Sequence, residues 1–196
     1  NYLEGKSELL DAVNHPDDPA RGARQVPFGR ELYVERDDFM ENPPKKFYRL
    51  SPGKEVRLRY AYFVTCQSVV KDAAGNVTEL RCTYDPATKG GNAPDGRKVQ
   101  ATLHWVAAKE SIAAEVRLYN PLFTRPDPDP ANLIAALNPN SLEVIKDARL
   151  EPALADAGDA PVQFERQGYF VRDRDGAPGK PVFNRTVGLR DSYAKA

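Results

Sequence analysis

Short runs in which apolar and polar residues alternate, each cut off by Gly, Pro or Asp, recur along most of this chain and leave little room for helices. The organising stretch is FYRLSPGKEVRLR, Phe47 to Arg59, where a Ser-Pro-Gly turn releases a period-two run. On that period Val56, Leu58, Tyr60, Tyr62 and Val64 share one face. Arg57 and Arg59 lie side by side on the other, about 7 Å apart. The run continues through AYFVTCQSVV to an AAGN turn and returns through NVTELRCTYD as a long hairpin. RQVPFGRELYVER (Arg24 to Arg36), KVQATLHWVA, AAEVRLYNPLF, SLEVIKDARLEPAL, PVQFERQGYFVRD and PVFNRTVGLRD supply further strand candidates. Short helical pieces are expected at Leu3 to Val13, within DDFMEN, and at Ala131 to Leu137 between prolines. Many short strands with almost no helix predict an all-β barrel or sandwich, and their number suggests two small barrels.

Charge and composition narrow the partners. With 28 basic and 28 acidic residues and no long run of either sign, the chain has no global field for a polyanion, so such a partner must be met by local arginines. No apolar stretch approaches the ~20 residues that span a bilayer, and the N-terminus lacks the order of a signal peptide. A cytoplasmic protein with no membrane partner is expected. Cys66 and Cys82 flank the turn Asp72 to Asn76 and could face one another across the hairpin; in a reducing cytosol they read as free thiols serving as small apolar residues. There is no C-x-x-C pair, and His15 and His104 are far apart, so no metal site is expected.

Catalytic patterns are absent. GNAPDGRK, Gly91 to Lys98, nearly repeats a phosphate-binding loop, but its lysine comes one place late, no Ser or Thr follows, and it leads into a strand. A tight inter-strand loop is the expectation there. No serine has a G-x-S-x-G setting, His104 reads as a structural hydrogen-bonder, and the carboxylates are scattered. What remains is a recognition surface of Arg49, Arg57, Arg59, Arg166, Gln163, Phe47, Tyr48 and Tyr60. Splayed bases of single-stranded RNA stack on aromatic and guanidinium planes and offer edges to Arg and Gln donors. The same residues also suit a solvated strand face with arginines paired to local carboxylates, and aromatics buried in a core.

The blocks RQVPF (Arg24 to Phe28), GKEVRLR (Gly53 to Arg59), CTYDP (Cys82 to Pro86), DGRKV (Asp95 to Val99), HWV (His104 to Val106), EVRLY (Glu115 to Tyr119), QFER (Gln163 to Arg166), GYF (Gly168 to Phe170) and FNRTVGLRDSYAKA (Phe183 to Ala196) span nearly the whole chain. In that order they resemble the C-terminal anticodon-binding region of glutaminyl-tRNA synthetases, which are class I aminoacyl-tRNA synthetases. The resemblance implies two ribosomal-protein L25-like, six-stranded antiparallel β-barrels with short helices. A distal barrel, 46–111, would be inserted into a proximal one, 24–45 and 112–196, after a leader, 1–23, from a catalytic half.

It further implies that the glutamine tRNA anticodon loop enters pockets between the barrels. Arg49 would read the third anticodon base, a guanine; Arg57 would lie at the first base, and Gln163 and Arg166 at the central uracil. Tyr48 and Lys46 stand beside the same pocket as Arg49, where some members carry lysine and glutamine, and Asp17 stands where some carry asparagine. These seven are the expected tRNA-binding residues, while Arg59 keeps only a surface-charge role. The HIGH and KMSKS-like signatures occur nowhere in the 196 residues. The expectation is therefore an inert, cofactor-free monomeric piece that binds no DNA. Its parent would join glutamine to tRNA with ATP and magnesium held in its own N-terminal catalytic domain. A stand-alone L25-like structural RNA-binding protein, the matching region of a eukaryotic-type glutamyl-tRNA synthetase, and a β-barrel module with a protein partner are the alternatives.

Overall fold

Strand pairing in the computed structural model, which describes residues 1–189, divides an all-β chain into two units, Asn1–Ser111 and the residues from Ile112 onward. The first unit contains β1 (Glu8–Val13), β2 (Ala23–Phe28), β3 (Leu32–Tyr33), β4 (Glu55–Leu58), β5 (Phe63–Lys71), β6 (Val77–Asp85), β7 (Thr102–Leu103) and β8 (Val106–Ala107). β1 pairs antiparallel with β2, and β3 with β8. The main sheet runs β6-β5-β4-β7, with β4 and β7 parallel.

Residues Leu3 to Val13 supply a strand and not the expected helix. Leu10 and Ala12 are buried at a spacing of two, and Leu10 sits opposite Val26, so pairing with β2 decides the conformation of an ambiguous apolar run. The long strand expected from Val56 to Val64 is broken. Tyr60 takes a left-handed backbone with φ of 61°, Leu58 and Tyr62 bond across the reversal, and β5 returns antiparallel to β4. KVQATLHWVA is likewise split into β7 and β8. The turn closing β5 and β6 is held by Asp72, whose carboxylate accepts the Ala74 and Asn76 amides. Cys66 and Cys82 face one another in this ladder as free thiols. Burial pushes both upward, Cys82 to about 12, so both remain protonated at neutral pH.

One hydrophobic cluster joins Tyr2, Leu10 and Ala12, Val26, Phe28 and Phe39, and Val56, Leu58, Leu103 and Trp105. Residues from 1–45 and from 46–111 thus contribute to one core. Phe28 lies at its centre, with ring centroids 5.2 Å from Tyr2 and 5.1 Å from both Tyr62 and Trp105. At the edge of this cluster Glu8 Oε1 accepts from the Tyr2 and Tyr62 hydroxyls, each at 2.9 Å, and Oε2 accepts from Lys89 Nζ at 2.6 Å. Burial alone would push the Glu8 carboxyl up, but the bonds from Lys89, Tyr62 and Tyr2 outweigh it and hold the group below its ordinary value.

The second unit is a sheet of β9 (Ile112–Tyr119), β10 (Leu142–Leu150), β11 (Val162–Phe164), β12 (Gly168–Arg172) and β13 (Val182–Gly188), in the order β10-β9-β13-β12-β11. Only β9 and β13 are parallel neighbours there among the described residues. Phe170, Phe183, Val116, Ala114 and Leu150 form its core, and Phe164 stacks on Phe170 at 4.1 Å. PVQFERQGYFVRD is two strands, because Arg166 takes a φ of 63° and turns the chain. Gly168, with φ of 144°, lies so close to β13 that a Cβ would sit 2.2 Å from the Val187 carbonyl oxygen.

Ala131 to Leu137 forms short 3-10 turns, Pro130–Asn132 and Ile134–Ala136, in place of the expected helix; Ile134 is exposed and provides no buried stripe to nucleate one. DDFMEN gives a 3-10 turn, Arg36–Asp38. The last residues of PVFNRTVGLRD and of the FNRTVGLRDSYAKA block lie outside the described residues. No helix among the described residues is long and apolar enough to cross a membrane.

Glu8→Gln is expected to lower stability by about 1 to 3 kcal/mol at neutral pH, since it removes a charged acceptor shared by three donors. With the folded pKa depressed below 4.5, the contribution is complete above the unfolded carboxyl's pKa and is lost as pH falls through the folded value. Urea melts across about pH 3 to 7 should show a shallower acid loss in Glu8→Gln than in the parent chain. Equal acid slopes would remove Glu8 from this role.

Candidate nucleic-acid interface

The Ser-Pro-Gly turn and the residues before it are fixed from both sides. The Leu50 amide donates to the Asp38 carbonyl at 2.9 Å, and the Met40 amide to the Leu50 carbonyl at 3.1 Å. Lacing of this kind makes 47–50 irregular but ordered: Phe47, Arg49 and Leu50 are buried, while Lys46 and Tyr48 face solvent. Phe47 is therefore a core residue and is not on the recognition surface expected for it. Ser51 to Lys54 closes a type II turn, with Pro52 at the second position, Gly53 at φ of 73°, and the Lys54 amide donating to the Ser51 carbonyl at 2.9 Å. The Gly53 amide ties that turn to Cys66 of β5 at 2.8 Å.

Arg49 is the unusual member of this segment. Its side chain is 8% exposed, and Nε lies 3.5 Å from Oδ1 of Asp38, which is itself 1% exposed. Nη1 donates to the Asp37 carbonyl at 3.4 Å. A guanidinium in such a setting is charge-compensated and held in one orientation, so its planar fork is preformed at little further entropic cost.

Arg57 stands on β4 opposite Phe63, with Cζ 5.1 Å from that ring's centroid and Nη2 donating to Asn92 Oδ1 at 2.7 Å. Arg97 also lies over the Phe63 ring, at 5.6 Å. Its guanidinium bonds Glu55 through Nε at 2.9 Å, Asp95 through Nη1 at 2.6 Å, and Asp85. Bonding from the Arg97 side chain holds Asp85 below the ordinary carboxylate range, and the Arg97 backbone and side chain do the same for Asp95. The loop 91–98 is thus clamped to the hairpin by one arginine, which gives that basic residue a structural role. Arg59 falls in the reversal after β4, over the Tyr60 ring at 5.6 Å, so it does not stand beside Arg57 on one strand face. Its carbonyl accepts the Trp105 indole N–H at 2.9 Å.

Asp17 is exposed, just before the 3-10 turn Pro19–Arg21, and its amide donates to His15 Nδ1 at 3.2 Å. Gln163 and Arg166 belong to the second unit. Gln163 is exposed on β11 opposite Tyr169, and Arg166 forms the left-handed corner between β11 and β12. The structure therefore gathers Lys46, Tyr48 and Arg49 in one ordered segment, puts Arg57 beside Asn92 and Arg97, and joins Gln163 to Arg166 at one hairpin end. Asp38 and Asn92, which position Arg49 and Arg57, escape sequence reading because both lie in segments without periodic signal. Among the described residues, no group of three or more His, Cys, Asp or Glu side chains is arranged to hold a metal ion.

Because Arg49 is buried against Asp38, Asp38→Ala should destabilise the first unit by about 3 to 5 kcal/mol through an uncompensated charge. The double change of Asp38→Ala with Arg49→Met should recover much of that loss in denaturant melts. Independent, additive losses would show that the two side chains are not coupled.

Family models described as the anticodon-binding domain of class I (E and Q) tRNA synthetases match residues 1–85 and 102–173. The chain is 71% identical to a glutamine–tRNA ligase of Nitrobacter hamburgensis over 196 residues, which is 100% of this chain and 35% of that relative. It is 65% identical to the corresponding ligase of Bradyrhizobium diazoefficiens, again over all of this chain and 35% of the relative. With that of Clostridium kluyveri the identity is 52%, covering 98% of this chain and 35% of the relative. The chain thus spans about a third of the length of these curated relatives. Two successive β-units, ordered arginine and amide side chains, and matches running through both units place the chain in the anticodon-binding domain family of the class I glutamyl- and glutaminyl-tRNA synthetases.

Proposed function

We propose that this chain recognises the anticodon loop of a glutamine tRNA within an enzyme that joins glutamine to that tRNA at the expense of ATP. The observation that carries the reading is the 71% identity to a glutamine–tRNA ligase across every residue of the chain. ATP with magnesium and the amino acid are assigned to the part of such an enzyme that these residues do not match. The parent is assigned to the cytoplasm, as a monomer whose catalytic domain is the chain's own covalent partner.

Within the chain, Arg49 is assigned to the third anticodon base, where a fixed guanidinium fork suits the two acceptors of guanine. Arg57, stacked on Phe63, is assigned to the first base. Gln163 and Arg166 are assigned to the central uracil, with Lys46, Tyr48 and Asp17 flanking. Preorganisation supports these roles: a base reader held by its own protein loses little freedom on binding.

Two measurements test the reading. The 196-residue chain alone should give no glutamine-dependent ATP–pyrophosphate exchange, and exchange by the purified chain would overturn the assignment of chemistry elsewhere. Arg49→Lys, which keeps the charge beside Asp38, should cost about 1 to 3 kcal/mol against anticodon hairpins carrying guanine at the third position and much less against other bases there. A uniform loss across all hairpins would make Arg49 a backbone contact.

A further inference from the structure

Beyond Gln163 and Arg166, the second unit presents an exposed aromatic ring, that of Tyr169. Gln163 of β11 lies opposite Tyr169 of β12, and Tyr169 lies opposite Val187 of β13. All three therefore form one row across the sheet. The row is open: Tyr169 is 42% and Val187 56% exposed. On the other side of the same strands Phe164, Phe170 and Phe183 fill the core, so the hairpin's hydrophobic requirement is met without Tyr169.

The backbone around this ring is tightly specified. The ladder shifts register between Tyr169 and Phe170, leaving Thr186 as the extra residue of β13. Thr186 Oγ1 donates to the Tyr169 carbonyl at 3.0 Å and fixes that irregularity. An aromatic held on an outward sheet face, with an amide across one strand, is the chemistry that binds an unpaired nucleobase. The ring supplies the stacking plane, and a cross-strand amide about 5 Å away reaches the base edge.

We propose that Tyr169 is the stacking platform for the central base of the anticodon loop, the base whose edge Gln163 reads. The proposal rests on the anticodon-loop reading above and adds to it the residue that holds the base plane. Stacking needs the ring and not the hydroxyl, so phenylalanine serves equally.

The test titrates the chain, Tyr169→Ala and Tyr169→Phe with a synthetic anticodon stem-loop RNA carrying uracil at the loop centre. The same hairpin with an abasic ribose there, and one with a scrambled loop, complete the set. The parent chain should bind the abasic hairpin at least about five-fold more weakly than the uracil hairpin. Tyr169→Ala should lose a similar factor on the uracil hairpin and nothing more on the abasic one, and Tyr169→Phe should match the parent. Parent-like binding of the uracil hairpin by Tyr169→Ala, or an equal loss on both hairpins, overturns the stacking role while leaving the anticodon reading intact. A parent chain that binds the scrambled loop as well as the uracil loop overturns both.

Discussion

Glu8 brings together a tyrosine near the N-terminus, a tyrosine at the start of the β5 hairpin and a lysine beyond β6, using both of its oxygens. The carboxylate thereby ties the N-terminal segment to both ends of the β5–β6 hairpin. The hydroxyls belong to rings packed edge-on around Phe28 and Tyr84, so the carboxylate fixes the tilt of the aromatic cluster as well as the ends of the segments. Through Phe28 the constraint reaches Trp105, whose indole N–H holds the backbone of Arg59 in the reversal between β4 and β5. That reversal sets Arg57 on one arm of a hairpin opposite Phe63. The orientation of a candidate base-reading arginine is thus linked, by successive packed groups, to one carboxylate.

The arginines divide by what surrounds them. Arg97 and Arg117 are each met by several carboxylates, and their guanidinium protons are held more firmly than usual by those partners. Both act as cross-links between strands and loops. Arg57 is half-buried and has instead a ring and an amide. A chain with zero formal net charge can nevertheless present cationic readers where its carboxylates are engaged elsewhere, as six of them are with Arg97 and Arg117.

The β-class and the long β5–β6 hairpin were legible from alternation and turn chemistry, including the pairing of Cys66 with Cys82. The shortfalls have one physical origin. Period-two patterning identifies faces but does not show where a strand reverses, so the left-handed residues Tyr60 and Arg166 were invisible in runs that otherwise alternate smoothly. β1 was missed because exposed Leu9 and Val13 blur its alternation with apolar residues on both faces. At the candidate site, residue type pointed to arginine and glutamine, and the family pattern ranked them. The burial of Arg49 against Asp38 depends on Asp38–Met40 lying beside Leu50, which no local signal encodes.

Gly168 closes one route by which this region could be interpreted. A Cβ at this position would meet the Val187 carbonyl oxygen so closely that any side chain must displace β13, which is also bonded to β9. Residue 168 is also two positions from Arg166 and directly before Tyr169. A substitution there would therefore disturb the hairpin end that carries Gln163 and Arg166 by moving its scaffold. Loss of RNA discrimination in a Gly168 variant would report on backbone clearance, and invariance at this position among relatives would not by itself mark a nucleotide contact.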